Sequence, residues 1–110
     1  MKILLDNCVV RRFGDLLEGH EVIHASRLGW AELENGDLIR AAEADGFDVM
    51  ITVDKNVQYQ QNVTGRRISI IVLTPRFVFY DQIAALAPSI KLALANLPQG
   101  SFIAIGPVSI

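Results

Sequence analysis

The sequence has little cysteine and no long apolar run. Cys8 is the single cysteine among 110 residues, so no disulfide can form within the chain. This excludes a small fold held together by disulfides, and it indicates a reducing compartment. No apolar run approaches the roughly 20 residues that a membrane helix needs, and Asp6 interrupts the apolar start too early for a signal-peptide core. We therefore expect a cytoplasmic protein that does not enter a membrane.

A basic excess is also absent. Ten Lys and Arg residues stand against twelve Asp and Glu residues, which gives a net charge of −2. Proteins that coat nucleic acid nonspecifically are usually strongly basic, because phosphate neutralisation drives that binding. That class is excluded, and contact with nucleic acid would need a local site. Charge is scarce from Gln82 onward, where Lys91 is the only charged residue. Such a segment is usually core and strand, and a partner surface, including a homodimer contact, is the second interpretation.

Hydrophobic residues make up 51% of the chain, and their spacing alternates between strand-like and helix-like segments. Residues 2–5, 21–24, 47–53, 68–73 and 101–105 are predicted as strands, and residues 9–17, 35–45 and 83–97 as helices. Asn35 is the predicted N-cap of the second helix. Pro88 is expected to kink or divide the last helix. The inner strands are apolar on both faces, which is typical of a parallel sheet covered by helices on both sides. We predict a single α/β domain over residues 1–110.

Two aspartates follow predicted strands. Asp6 comes after the first strand and Asp54 after the third, and in parallel sheets function gathers at the carboxyl ends of the strands. Adjacent carboxylates repel each other unless a cation neutralises them, and Mg²⁺ or Mn²⁺ prefers such oxygen ligands. Asp37, in the first turn of the second helix, is the natural third ligand. Each aspartate has a structural alternative as a helix cap or a dipole partner. Lys55 either steadies a phosphate or is an exposed lysine.

Several motifs occur in a characteristic order along the chain. They are MKILLDN at the start, GHEV at 19–22, LGW at 28–30, NGDL at 35–38, GFDVMIT at 46–52, DKN at 54–56 and YQQN at 59–62. In this order they resemble a widespread prokaryotic PIN-like family of small proteins, related to VapC-type toxins and Mut7-C-like domains. The resemblance extends from Met1 to about Leu73 and is looser beyond.

The resemblance implies a PIN-like three-layer sandwich with a central, mostly parallel sheet of four to five strands. It also implies a ribonuclease site of acidic residues that uses Mg²⁺ or Mn²⁺. Asp6, Asp37 and Asp54 match the acidic positions and are the predicted catalytic and metal-binding residues. The chain would then be the toxin of a toxin–antitoxin pair, with RNA as substrate and a small antitoxin protein as partner.

The chain departs from the family pattern at two places. Asn7 stands where many relatives carry an acid, and Thr74-Pro75 stands where the fuller site has a fourth acid. Asn7 can still bind a metal through its amide oxygen, but with less charge to hold a second ion. A one-metal site, a weak site and a lost activity therefore all stay open.

Amide side chains and one tyrosine follow the third strand and suit contacts with unpaired bases. A solvated polar helix would have the same composition. The predicted substrate-binding residues are Asn7, Lys55, Asn56, Tyr59, Gln60 and Gln61. Trp30 is either a core anchor or an exposed platform for RNA or an antitoxin. His20 and His24 lack metal-ligand spacing and are interpreted as structural, and Cys8 as a small buried hydrophobe.

Two other functional classes compete with the nuclease. A phospho-receiver signalling module also has an aspartate after the first strand, a phospho-accepting aspartate after the third and a threonine after the fourth, as at Asp6, Asp54 and Thr74. The receiver interpretation lacks support at Asn7, where a receiver needs a second acid, and at the fifth strand, which no lysine follows. The other rival is a non-catalytic interaction protein, because a fold alone does not secure a function.

Overall fold

The structure is a computed structural model that describes residues 1–57 and 66–107. Its described part contains a five-stranded sheet in the order β2-β1-β3-β4-β5, and every neighbouring pair is parallel. The strands are β1 (Lys2–Leu5), β2 (Glu21–His24), β3 (Val49–Thr52), β4 (Ser69–Leu73) and β5 (Phe102–Ile105). The prediction of an α/β fold with a parallel sheet is confirmed, and the sheet is entirely parallel.

Helices lie between β1 and β2, between β2 and β3, and between β4 and β5, whereas the connection from β3 to β4 includes residues outside the described part. The 3-10 helices are η1 (Arg11–Leu16) and η2 (Ala25–Leu28), and the α-helices of the described part are α1 (Asn35–Ala44), α2 (Tyr80–Ala84) and α3 (Ala87–Ala95). The segment predicted as the first helix forms the shorter η1. Pro88 lies in the first turn of α3, where its missing N–H leaves no helical bond unmade. The expected division of the last helix at this proline is confirmed.

Helix α1 ends in a left-handed glycine. Gly46 has φ of 83° and its N–H bonds the carbonyl of Glu43, while Phe47 N–H bonds the carbonyl of Ala42. This pair of bonds is the Schellman arrangement, in which a glycine closes a helix at no steric cost. Phe47 is thereby turned into the core, 3% exposed, directly before β3. The local sequence thus determines where β3 enters the sheet.

The sheet separates two apolar clusters, one on each face. On one face, Leu5, Ile51 and Leu73 pack with Phe13 of η1 and with Ile90 of α3. On the other, the alternate strand residues pack against η2 and α1; these include Leu4, Met50, Ile70, Ala25, Leu38, Ile39 and Ala42. The inner strands β3 and β4 are buried along their whole length, as expected of strands covered on both faces. This layering is compatible with the predicted three-layer sandwich.

The chain leaves β1 for β2 on one side and returns to β3 on the other. The reversal of direction therefore lies between β1 and β3, which are neighbours with Leu5 beside Ile51. In open parallel sheets, ligands bind in the crevice at this point, outside the carboxyl ends of the strands. Asp6 and Asp54 both follow the strands that border it.

Candidate functional site at the carboxyl end of the sheet

The carboxylate of Asp6 is buried at the end of β1. Asp6 is 6% exposed, and its backbone N–H still bonds the carbonyl of Ile51 at 3.0 Å. Its two side-chain oxygens accept hydrogen bonds from the Thr52 hydroxyl, at 2.7 Å, and from the backbone N–H of Asn7, at 2.6 Å. A buried carboxylate needs such partners, because burial without them costs several kcal/mol. The fold therefore provides a specific polar environment for this one acid.

Thr52 connects the ends of β1 and β3. Its hydroxyl donates to Asp6 and accepts a 3.0 Å bond from the backbone N–H of Asp54. Its side chain is fully buried, and the Cys8 sulfur lies 3.4 Å from the same oxygen. Our sequence reasoning missed this residue. The available signal was a hydroxyl at the end of the otherwise apolar strand Val49–Thr52.

Both side-chain oxygens of Asp54 accept hydrogen bonds. Its Oδ1 accepts from the backbone N–H of Asn56 at 2.9 Å, and its Oδ2 accepts from the Asn35 amide at 3.0 Å. The first bond is a turn of the kind that aspartate commonly makes with its own backbone two residues on. A helix that Asp54 could cap would extend beyond the described residues, so its capping role stays a prediction. Asn56 contributes its backbone to this contact.

Asn35 differs from its predicted role as the N-cap of α1. The N-cap is Glu34, without a side-chain cap bond, and Asn35 is the first helical residue. Its amide reaches across to Asp54 instead. The start of α1 is thereby linked to the end of β3 by a side chain that sequence reasoning assigned to the helix alone.

Asn7 carries an amide oxygen that has no hydrogen-bond partner within residues 1–57 and 66–107. Its Nδ2 donates to the backbone carbonyl of Trp30 at 3.1 Å, which orients the amide. Its Oδ1 is buried and accepts no hydrogen bond from any residue in the described part of the chain. Buried oxygens are nearly always partnered, so this atom suits a cation or a donor from outside the chain. Trp30 itself packs edge-to-face on Phe47, with ring centroids 6.1 Å apart, which favours the core-anchor interpretation.

Asp37 faces solvent and is paired with Arg40 one turn later, with side-chain exposures of 63% and 61%. Within residues 1–57 and 66–107, no group of three or more His, Cys, Asp or Glu side chains is arranged to hold a metal ion. Asp37 as a third ligand stays a prediction.

Lys55 is exposed beside Asp54. Tyr59, Gln60 and Gln61 lie outside the described residues.

Cys8 is exposed, so the interpretation of a small buried hydrophobe is wrong. Its sulfur is nevertheless turned towards Thr52 and Asp6. Partial desolvation raises the pKa of the Cys8 thiol above its ordinary value, and the Asp6 carboxylate adds to the increase. The hydrogen bonds that Cys8 forms with Thr52 and with the Val53 backbone lower the pKa of the thiol and do not outweigh these causes. The thiol next to the site is therefore a poor nucleophile at neutral pH.

The ends of β4 and β5 have a different character. Thr74 N–H bonds the carbonyl of Ile105 at 2.8 Å, and a Cβ atom on Gly106 would stand 2.4 Å from Thr74 Oγ1 and 3.0 Å from its carbonyl oxygen. No side chain fits at Gly106 without movement. Just after Thr74, Phe77 and Phe79 are 56% and 64% exposed, with ring centroids 6.1 Å apart. This end of the sheet thus presents apolar surface where the β1 and β3 ends present oxygens.

In the described residues, no helix has both the length and the apolar character needed to cross a membrane. The chain has no match to any family model, curated protein or solved structure with which it was compared.

Proposed function

We propose that the chain is a divalent-metal-dependent ribonuclease of PIN-like fold, with its site at Asp6, Asn7 and Asp54. One observation carries the proposal: at the strand reversal of a parallel sheet, a buried aspartate is followed in sequence by an asparagine whose buried amide oxygen has no partner among the described residues. That is where such folds bind ligands. The motif order that resembles the PIN-like family supports the same assignment.

The residues present fit a cation with oxygen ligands. Mg²⁺ is commonly held by one or two carboxylates and keeps several waters, so a full cage of protein ligands is not required. Asp6 and Asp54 would supply the charge and Asn7 Oδ1 a neutral ligand, with Asp37 as the predicted third acid. The ion, Mg²⁺ or Mn²⁺, would activate water and neutralise charge on the phosphodiester.

The chain's own groups have positioning roles in this proposal. Thr52 holds the Asp6 carboxylate in one orientation, and Asn35 with the Asn56 N–H holds that of Asp54. Lys55 would bind a phosphate of the substrate as a flexible point charge. Tyr59, Gln60 and Gln61 would contact unpaired bases. By the same resemblance, we propose a small antitoxin protein as partner.

The test is a cleavage assay with a matched set of variants. Metal-stripped protein is incubated with mixed single-stranded RNA in Mn²⁺, in Mg²⁺ and in EDTA. The expected result is metal-dependent cleavage that Asp6→Asn and Asp54→Asn abolish, while Glu18→Gln, which removes an exposed charge elsewhere, retains it. Calorimetric titration with Mn²⁺ provides a second readout, in which both aspartate variants lose binding. Folded protein that neither binds Mn²⁺ nor cleaves would favour the non-catalytic interaction protein.

The strand order favours one second candidate, a phospho-receiver. The order β2-β1-β3-β4-β5 is that of the flavodoxin-like class, to which receivers belong. Asp54 and Thr74 follow neighbouring strands, as a receiver requires. Incubation with acetyl phosphate and Mg²⁺ distinguishes the two functions. A phosphoryl group on Asp54, detected by mass spectrometry and absent in Asp54→Asn, would establish the receiver instead of the nuclease.

A further inference from the structure

A cavity of about 450 Å³ lies beside β2, and its lining does not include Asp6, Asn7 or Asp54. Val22 and His24 of β2 form its floor together with Leu5, and η1 and η2 provide its sides. Gly14 of η1 permits close packing here, since a Cβ atom at this position would stand 3.1 Å from Val22. The walls are therefore built from elements that the core holds in place.

Two arginines line this cavity without forming an ion pair among the described residues. They are Arg11 of η1 and Arg27 of η2. Three other arginines have partners: Arg40 and Arg66 pair with acids, and Arg12 stacks over the ring of Tyr80. Two unpaired guanidinium groups around one cavity repel each other, so an anion between them would be stabilised.

The histidines of the cavity have defined proton positions. His20 Nδ1 accepts a 3.2 Å bond from the Met1 ammonium, which leaves Nε2 as the ring nitrogen that can donate to a ligand. His24 Nδ1 accepts from the Ser26 N–H, and its Nε2 donates to the carbonyl of Val9 at 2.7 Å. Both ring nitrogens of His24 thus bond other groups of the fold, so His24 lines the cavity without a free donor for a ligand. His20 retains a donor for a ligand.

We propose that this cavity binds a phosphate monoester, with Arg11 and Arg27 as its anion ligands and the His20 Nε2–H as an additional donor. Guanidinium groups recognise phosphate oxygens through paired hydrogen bonds. The volume lies in the range of small-ligand pockets and exceeds that of a bare phosphate ion. Asp15, the acid of the lining, suits a hydroxyl neighbouring the phosphate. Such a group occurs in a nucleoside monophosphate and at the 5′ end of an RNA.

The test is a calorimetric titration of the full chain in EDTA, so that the site at Asp6 plays no part. The probes are inorganic phosphate, a nucleoside 5′-monophosphate, and a short RNA with either a 5′-phosphate or a 5′-hydroxyl. Both phosphomonoester ligands are expected to bind and the 5′-hydroxyl RNA is not. Tighter binding of the phosphorylated RNA than of the mononucleotide identifies an RNA end as the ligand, and the reverse identifies a free nucleotide.

Matched variants separate the cavity from general charge effects. Arg11→Gln and Arg27→Gln are each expected to weaken binding roughly tenfold, as expected for the loss of one charge-assisted contact. Arg12→Gln, adjacent in sequence but outside the lining, should not. Asp15→Asn should tighten binding of inorganic phosphate, whereas Glu18→Gln, with the same charge change, should leave it unaltered. Absence of binding by the folded wild type, or equal losses in the Arg11 and Arg12 variants, would overturn the proposal.

Discussion

The Thr52 hydroxyl donates a 2.7 Å hydrogen bond to Asp6 Oδ2 across 46 residues of sequence. Both residues are buried, and the same hydroxyl accepts from the Asp54 N–H. One side chain thus orients the carboxylate of β1 and the loop that follows β3. The proposed site depends on this contact, because without it the Asp6 carboxylate would lose a hydrogen bond in a buried position.

Replacing Thr52 by Val should destabilise the protein more than replacing it by Ser. Valine has a similar shape but no hydroxyl, so the buried Asp6 carboxylate loses one hydrogen bond. This should lower the free energy of unfolding by about 1–3 kcal/mol. Serine keeps the hydroxyl and loses one methyl group, at a cost of about 1 kcal/mol. Urea unfolding monitored by circular dichroism measures both. Equal stability of the Val variant and the wild type would show that the hydrogen bond contributes nothing.

Alkylation of Cys8 should be slow in the folded protein and should accelerate at a higher pH than for an ordinary cysteine. The raised pKa of the thiol lowers its thiolate fraction at any given pH. Because the folded-state pKa exceeds the unfolded one, the neutral thiol's contribution to stability is complete below the unfolded pKa. It is lost as pH rises through the folded pKa. Iodoacetamide rates against pH, in buffer and in urea, test this. Identical profiles in both would contradict it.

Asn7→Asp should strengthen cation binding and weaken the cation-free fold. The new carboxylate would lie next to Asp6 and repel it, and the donor to the Trp30 carbonyl would be lost. We expect a loss of about 1–3 kcal/mol in the free energy of unfolding without metal, and a several-fold higher affinity for Mn²⁺ because a charged ligand replaces a neutral one. Thermal melts with and without Mn²⁺ measure both effects. The control is Asn96→Asp, which adds the same charge at an exposed position.

Asp37→Asn should reduce Mn²⁺ binding less than Asp54→Asn does. The Asp37 carboxylate is mostly exposed and already neutralised by Arg40. Loss of this surface pair should cost less than about 0.5 kcal/mol. Calorimetric titration of both variants provides the comparison. If Asp37→Asn abolishes Mn²⁺ binding while the fold is retained, Asp37 is a direct ligand and must leave Arg40 to act.

Leu92→Ser should weaken any homodimer formed through the sparsely charged C-terminal third. Leu92 lies on α3 and is 76% exposed, so its replacement should change the stability of the monomer by no more than about 0.5 kcal/mol. Sedimentation equilibrium over a range of concentrations measures the association. Val10→Ser, at an exposed apolar residue near the N-terminus, is the control and should have no effect. A wild type that stays monomeric throughout would exclude the dimer.

The fold was largely predictable because burial on both faces gives strands a continuous apolar run. Residues 68–73, predicted as a strand, contain β4 at Ser69–Leu73, and Asp6 was correctly expected at a strand end. The length of η1 was harder to predict from the sequence, since the same apolar spacing fits a longer α-helix. The partners of the side-chain hydrogen bonds could not be predicted from the sequence. Thr52 and Asp6 meet only through the pairing of β1 with β3, and nothing local to either residue specifies the other.

The same limit explains Asn35 and Cys8. Asn35 is of a residue type that favours the N-cap position, yet its side-chain amide bonds the distant Asp54 carboxylate instead. Cysteine is usually buried, and Cys8 departs from this because the loop after β1 turns the residue outward while its sulfur reaches Thr52. In each case a tertiary contact overrides a local preference.

The contact between Gly106 and Thr74 also constrains the evolution of the chain. A receiver needs a lysine after its fifth strand, which is the position of Gly106. Thr74 can rotate its hydroxyl away from a new Cβ atom, but its carbonyl oxygen, at 3.0 Å, belongs to the main chain. A side chain at this position therefore requires the end of β5 to shift from β4 by a few tenths of an ångström. The packing of these two strand ends thus favours glycine at position 106 and adds a structural cost to acquiring a lysine there.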